Sequence, residues 1–162
     1  MWIEPLAQRG RCVRIAGGSF FAFLAVLALG SASSAAHAQQ DDRDFDLRLA
    51  AKAGDVKRVK SLLDGGMDVN GKGYNDSTAL MYASVEGHVA VVKLLLARGA
   101  TVGAQDSMGG TALMYAVWKG HIEVVGILIG AGADPGKKAK DGRTALSVAE
   151  KDGKDEILLA FE

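Results

Sequence analysis

The sequence predicts an all-α solenoid, a stack of helix-turn-helix units, on three observations. Thr-Ala-Leu stands at Thr78, Thr111 and Thr144, at intervals of 33 residues. Glycine recurs at the same interval of 33 at Gly54, Gly87, Gly120 and Gly153. A second glycine column, equally spaced, runs through Gly66, Gly99 and Gly132. Columns that share one period define an internal repeat, and a unit of this length cannot bury its apolar face without a neighbour. The period gives a divergent first copy over 45–77, complete copies over 78–110 and 111–143, and a truncated last copy over 144–162. A stable stack needs about three repeats, so two full copies between two caps lie close to the minimum.

Residues 1–38 read as an address that precedes the stack. Arg9, Arg11 and Arg14 come before an apolar run from Ile15 to Leu29, and the small residues after it end in Ala36-His37-Ala38. A basic start, a short apolar stretch and an A-x-A ending are the parts of a cleavable secretory signal, with the cut expected between Ala38 and Gln39. A spanning helix needs roughly 20 apolar residues; this run is shorter and contains Gly17 and Gly18. Membrane association is therefore expected only through the uncleaved leader, and the mature protein is expected in a bacterial periplasm or otherwise secreted. The single cysteine, Cys12, leaves with the leader, so neither a disulfide framework nor a thiolate metal site is available. The whole chain balances 19 basic against 19 acidic side chains, and the part after residue 38 holds 16 and 18. That composition argues against a strongly basic nucleic-acid binder and against an acidic tail. Residues 39–44 read as a flexible lead-in.

Each unit is then legible in chain order. The three threonines are N-caps, with a hydroxyl able to accept from an otherwise unpaired helix amide. Leu80 and Ala83 share one face of a short first helix, which Gly87 ends through a left-handed backbone. Val89, Val92, Leu95 and Leu96 approximate the spacing of a second helix that stops at Gly99. The first copy has Phe45 at the threonine position, after Asp41, Asp42 and Asp44, acids suited to a helix N-terminus. Lys57, Arg58 and Lys60 make its second helix polar, as a solvent-facing terminal repeat requires. The last copy ends in a helix of barely two turns, from Ile157 to Phe161.

Thr111-Ala-Leu-Met-Tyr-Ala116, Gly120-His-Ile-Glu-Val-Val125 and Leu128-Ile-Gly-Ala-Gly-Ala-Asp134 together resemble the ankyrin repeat, as do Thr78-Ala-Leu-Met-Tyr-Ala83, Gly87-His-Val and Leu94-Leu-Leu-Ala-Arg-Gly-Ala100. The resemblance covers almost all of residues 45–162. It departs from the family where alanine replaces the usual proline, at Ala79, Ala112 and Ala145, and where Met81, Met114 and Ser147 replace the usual histidine. The resemblance implies helix pairs joined by β-hairpin loops and a monomer that binds another protein, with no catalysis and no cofactor. It places binding on the hairpin tips and on the exposed, concave side of the first helices. The tips supply Tyr74, Asn75 and Asp76, then Gln105, Ser107 and Met108, then Lys138, Lys140 and Arg143. The first helices supply Val85 and Glu86, Trp118 and Lys119, and Lys151 and Asp152.

Among these, Trp118 beside Lys119 resembles an interface anchor, because binding energy concentrates in a few large aromatic and cationic contacts. Tyr82 and Tyr115 share a column with Leu49 and are expected to pack between repeats. Glu86, Lys119 and Asp152 alternate in sign from repeat to repeat, either a ladder in which neighbours are expected to pair, each exposed pair contributing roughly 0–1 kcal/mol, or a pattern that a partner reads. Enzyme chemistry finds little support. Gly132-Ala-Asp-Pro-Gly136-Lys137-Lys138 lacks the spacing and the hydroxyl of a phosphate-binding loop and reads as a linker. His88 and His121 follow helix-ending glycines and are expected to be structural. Asp152 and Asp155 read as solvated helix-end charges. The alternative is a small-molecule or enzymatic role for the basic hairpin 137–143, which would require a converging pocket.

Overall fold

A computed structural model describes residues 45–161; the leader, the expected cut between Ala38 and Gln39, and residues 39–44 lie outside them. Helix α1 covers residues 45–53. It is followed by α2 (Val56–Asp64), α3 (Ala79–Glu86), α4 (Val89–Ala97), α5 (Ala112–Lys119), α6 (Ile122–Gly130), α7 (Ala145–Lys151) and α8 (Asp155–Leu158). Single 3-10 turns lie at Tyr74–Asp76 and Leu159–Phe161. No helix among the described residues is long and apolar enough to cross a membrane. The helices form two layers: α3 packs on α5 and α5 on α7, while α2 packs on α4 and α4 on α6. The all-helical repeat fold is the one the period predicts.

The columns explain the packing. Leu47, Leu80 and Leu113 are buried, and their counterpart Leu146 is 39% exposed. Ala50, Ala83, Ala116 and Ala149 form a buried small-residue column that brings the first helices close together. The threonine caps hold in two copies. Thr111 Oγ1 accepts from the Met114 amide at 3.3 Å. Thr144 and Ser147 cap reciprocally, the Ser147 amide donating to Thr144 Oγ1 at 3.0 Å and the Thr144 amide to Ser147 Oγ at 2.9 Å. Thr78 differs: its hydroxyl oxygen is buried without a hydrogen-bond partner, and its amide faces the weakly accepting Met81 sulfur at 3.5 Å.

One contact sets the spacing between units. His88 Nε2 lies 2.9 Å from the Lys52 carbonyl, and His121 Nε2 lies 3.0 Å from the Val85 carbonyl, each 36 residues back in the chain. Those carbonyls belong to the last turn of the preceding first helix, where helix geometry leaves acceptors unpaired. A carbonyl only accepts, so Nε2 is the nitrogen that carries the proton. Lys154 occupies the same column in the last unit and donates from Nζ to the Val117 and Trp118 carbonyls at 2.8 and 2.7 Å. The His121 ring sits over Gly87, where a Cβ would come within 2.7 Å of it. Gly87 also has φ +76, so glycine is required there twice, once by conformation and once by space.

The loops between units keep a hairpin course but contain no strand among the described residues. Gly73, Asp106 and Ala139 donate their amides to the carbonyls of Ser77, Gly110 and Arg143 at 2.9, 3.0 and 2.8 Å. Adjacent tips are tied by the Ser107 amide to the Asn75 carbonyl at 2.8 Å and by the Lys140 amide to the Met108 carbonyl at 3.0 Å. So few bonds per loop do not amount to a ladder. The tip position with positive φ is filled by Gly109 and Gly142, and in the first loop by Asp76 after Asn75. Asn and Asp are the side-chain-bearing residues that visit that region most readily.

The two helix-ending glycines Gly87 and Gly120 separate conformation from packing, because a Cβ at Gly120 would meet nothing within 4 Å. Gly120→Ala should cost about 1–2 kcal/mol of unfolding free energy through its left-handed backbone alone. Gly87→Ala should cost about 1 kcal/mol more, because the His121 ring must also move. Urea melts of the two variants, compared at equal m-value, measure the difference.

Candidate functional site

The first helices and the loop tips enclose two grooves that are images of each other, one repeat apart. The earlier groove, of about 240 Å³, is lined by Asn75, Ser77, Met81, Tyr82 and Val85 on one side and by Asp106 and Tyr115 on the other. The later one, of about 350 Å³, is lined by Met108, Gly110, Met114, Tyr115 and Trp118 opposite Ala139, Asp141, Arg143 and Val148. Every lining residue of the earlier groove has its 33-residue counterpart in the later one. The far walls differ in chemistry. In the earlier groove Tyr115 donates its hydroxyl to the Asp106 carboxylate. In the later one the same two positions hold Val148 and Ala139, which cannot make that bond. Gly110 is what lets the Tyr115 hydroxyl in, since a Cβ there would come within 2.9 Å of it. Burial, and then the hydrogen bond to Asp106, push the Tyr115 phenol up from 10.0 to about 12.

Trp118 is 56% exposed at the edge of the later groove, and Met108 on the adjoining tip is 66% exposed. The Lys119 ammonium lies 4.4 Å from the centre of the Trp118 ring, a cation–π contact that fixes a positive charge at the groove's edge. A family model for ankyrin repeats, in three copies, matches residues 24–106 and 47–139, which together span more than two thirds of the chain. The chain belongs to the ankyrin repeat family. None of the curated proteins matches it. Ankyrin repeats generally mediate protein–protein interaction, and the family is typically non-enzymatic.

The structure sorts the other residues assigned to the ankyrin binding face by what they already do. Tyr74 projects into solvent at 91% exposure. Asn75 uses its carbonyl to hold Ser107, and Asp76 faces Lys72 at 3.8 Å. Val85 is half-buried in the earlier groove, while Glu86 is exposed. The Gln105 amide bridges two tips, donating to the Gly109 carbonyl at 2.8 Å and to the Lys138 carbonyl at 3.0 Å. Lys138, Lys140 and Lys151 are exposed, and none of the three lines the later groove. Arg143 does line it, paired with Asp141 at 2.5 Å, and the backbone amide and side chain of Arg143 hold the Asp141 carboxyl below its usual range. In the basic hairpin, the Lys137 ammonium donates to the Gly103 carbonyl at 2.7 Å, a tie between adjacent loops.

The expected ladder of Glu86, Lys119 and Asp152 does not form among the described residues. Lys119 turns over its own neighbour Trp118, and Asp152 pairs instead with Lys154 at 3.1 Å. Nearer partners win because an exposed pair gains too little to hold two long side chains stretched between repeats. Tyr115 packs against the core, as expected, and additionally closes a loop through Asp106, whereas Tyr82 is half-buried in the earlier groove and Leu49 in the same column is 48% exposed. Tyr115 and Val148 line the grooves from outside the tips and the helix-end pairs, and Asp106, Ala139 and Asp141 lie within the tips without being singled out there. Reading down the columns, where tyrosine and aspartate give way to valine and alanine, is the signal that finds them.

Because the folded state raises the Tyr115 pKa above that of the unfolded chain, its contribution to stability is fully present below pH 10 and is lost as pH rises through about 12. An alkaline series of melts should show this fall in wild type and a shallower one in Tyr115→Phe. Ultraviolet titration should show one tyrosine ionising well above the ordinary phenol value of 10.0, and ionising earlier after Asp106→Asn.

Proposed function

We propose that this ankyrin repeat protein is exported to the cell envelope, where it binds or stabilises a partner protein through the face built from its first helices and loop tips. The single observation that carries the binding role is Trp118, a large aromatic left more than half exposed on that face and topped by a cation. Interface energy concentrates in a few large aromatic and arginine contacts. Two complete repeats between caps offer enough area for a standard interface, about 800 Å² on each partner. Export is supported by the basic, apolar and small-residue segments of the first 38 residues.

Two measurements test this. Cell fractionation with N-terminal sequencing should recover a mature protein from the envelope that begins at Gln39; a cytoplasmic product that begins at Met1 overturns the export. Affinity capture from envelope extract should yield a partner with wild type that is depleted at least about tenfold with the Trp118→Ala/Lys119→Ala variant. Equal recovery of the same protein by both overturns the assigned face.

A further inference from the structure

We propose that the later groove is a side-chain socket, and that its occupant is one large apolar residue of an acidic segment on the partner protein. This rests on the reading of the first-helix face as the binding surface and narrows it to one place and one chemistry.

The size of the socket follows from two substitutions in the repeat pattern. Where the earlier groove has the Tyr115 ring and the Asp106 carboxylate on its far wall, the later one has the smaller Val148 and Ala139. The volume grows from about 240 to about 350 Å³, and a polar hydrogen-bonded wall becomes an aliphatic one. On the near wall, Trp118 replaces Val85 and Met108 replaces Asn75, so the apolar surface grows there too. Met114 supplies a buried floor, and the exposed, flexible Met108 can adapt to the shape of an incoming side chain. The site thus combines room, an aromatic wall and an adjustable edge, which suits an aromatic or branched aliphatic side chain.

Charge selects what surrounds that side chain. Lys119, Lys138 and Lys140 make no ion pair among the described residues, whereas the one carboxylate lining the groove, Asp141, is already engaged by Arg143. Lys119 holds its charge over Trp118 at the groove's edge, and Lys138 and Lys140 flank the groove residue Ala139 in the chain. At the groove Asp141 and Arg143 offset each other and Lys119 stands without an ion-pair partner at the edge, so a carboxylate beside the inserted residue is attracted and a basic residue there is repelled.

The test fills the socket. Ala139→Asp with Val148→Tyr places in the last repeat the two larger side chains that stand on the far wall of the earlier groove; their hydrogen bond would also need glycine in place of Arg143, so the pair fills the groove by bulk. Peptides displayed on phage are selected on the immobilised mature chain and assayed at two salt concentrations against wild type, the double variant, Lys119→Glu and Trp118→Ala/Lys119→Ala. The expected result is enrichment of one aromatic or branched aliphatic residue flanked by Asp or Glu. Binding should weaken at least about tenfold in the filled variant, weaken in Lys119→Glu, and weaken with salt. A thermal melt establishes that the filled variant is folded; if it is not, Lys119→Glu, altered only at an exposed side chain, decides on its own. Failure to enrich peptides, enrichment of neutral or basic ones, or undiminished binding to the filled variant overturns the proposal. Peptides lost with Trp118→Ala/Lys119→Ala but kept by the filled variant would overturn the socket and leave the face standing; peptides kept by both would overturn both.

Discussion

The architecture depends on a side chain that reaches back one unit to the open end of a helix. His88 and His121 put a ring nitrogen on a last-turn carbonyl of the preceding first helix, and Lys154 does the same with an ammonium. A short helix has few internal hydrogen bonds and leaves several carbonyls unpaired at its end, so each unit is incomplete until the next one docks. The same contact constrains glycines at the ends of the first helices. A left-handed residue ends each of these helices, and at Gly54 and Gly87 a side chain would also collide with the ring arriving from the next unit, His88 and His121 respectively. The substitution of Lys154 at the end of the stack keeps the link while placing a full charge where the helix dipole favours one.

With spacing set by that contact, first helices and loop tips recur in nearly fixed geometry, and chemical variety is confined to which residues fill the equivalent positions. The two grooves are the clearest case. Their backbones match, yet one is closed by a phenol on a carboxylate and the other is open against valine and alanine. A repeat scaffold of this kind separates the residues that maintain the stack from those that distinguish one position along it, and recognition belongs to the second group.

The features legible in the sequence are those that every copy shares. Helix ends at Gly87 and Gly120, the alanine and leucine columns, and the two-layer stack all follow from a period of 33 residues. Less legible are features that occur once. Arg48 is buried where the two complete copies have methionine, a substitution that the helical pattern gives no reason to place inside. Asp76 takes a positive φ where the next two loops have glycine, so that column is visible only once backbone angles are known. The Tyr115–Asp106 bond joins a helix to the loop before it, a contact that depends on how the loop folds back. Lys119 was legible as exposed, but its turn toward Trp118 rather than toward Asp152 is a competition between weak interactions that spacing alone does not decide.

The last unit is the slightest, ending in the four-residue helix Asp155–Leu158 and one 3-10 turn, with Leu146 and Leu159 partly in solvent. A unit with so short a second helix buries little apolar surface of its own, so local opening begins most easily there. Ala139, Asp141, Arg143 and Val148, the far wall of the larger groove, belong to the residues that lead into this unit or form it. Opening of this unit therefore dismantles the groove, and a guest lodged against that wall would act as a clamp on it, linking occupancy to the lifetime of the unit's fold.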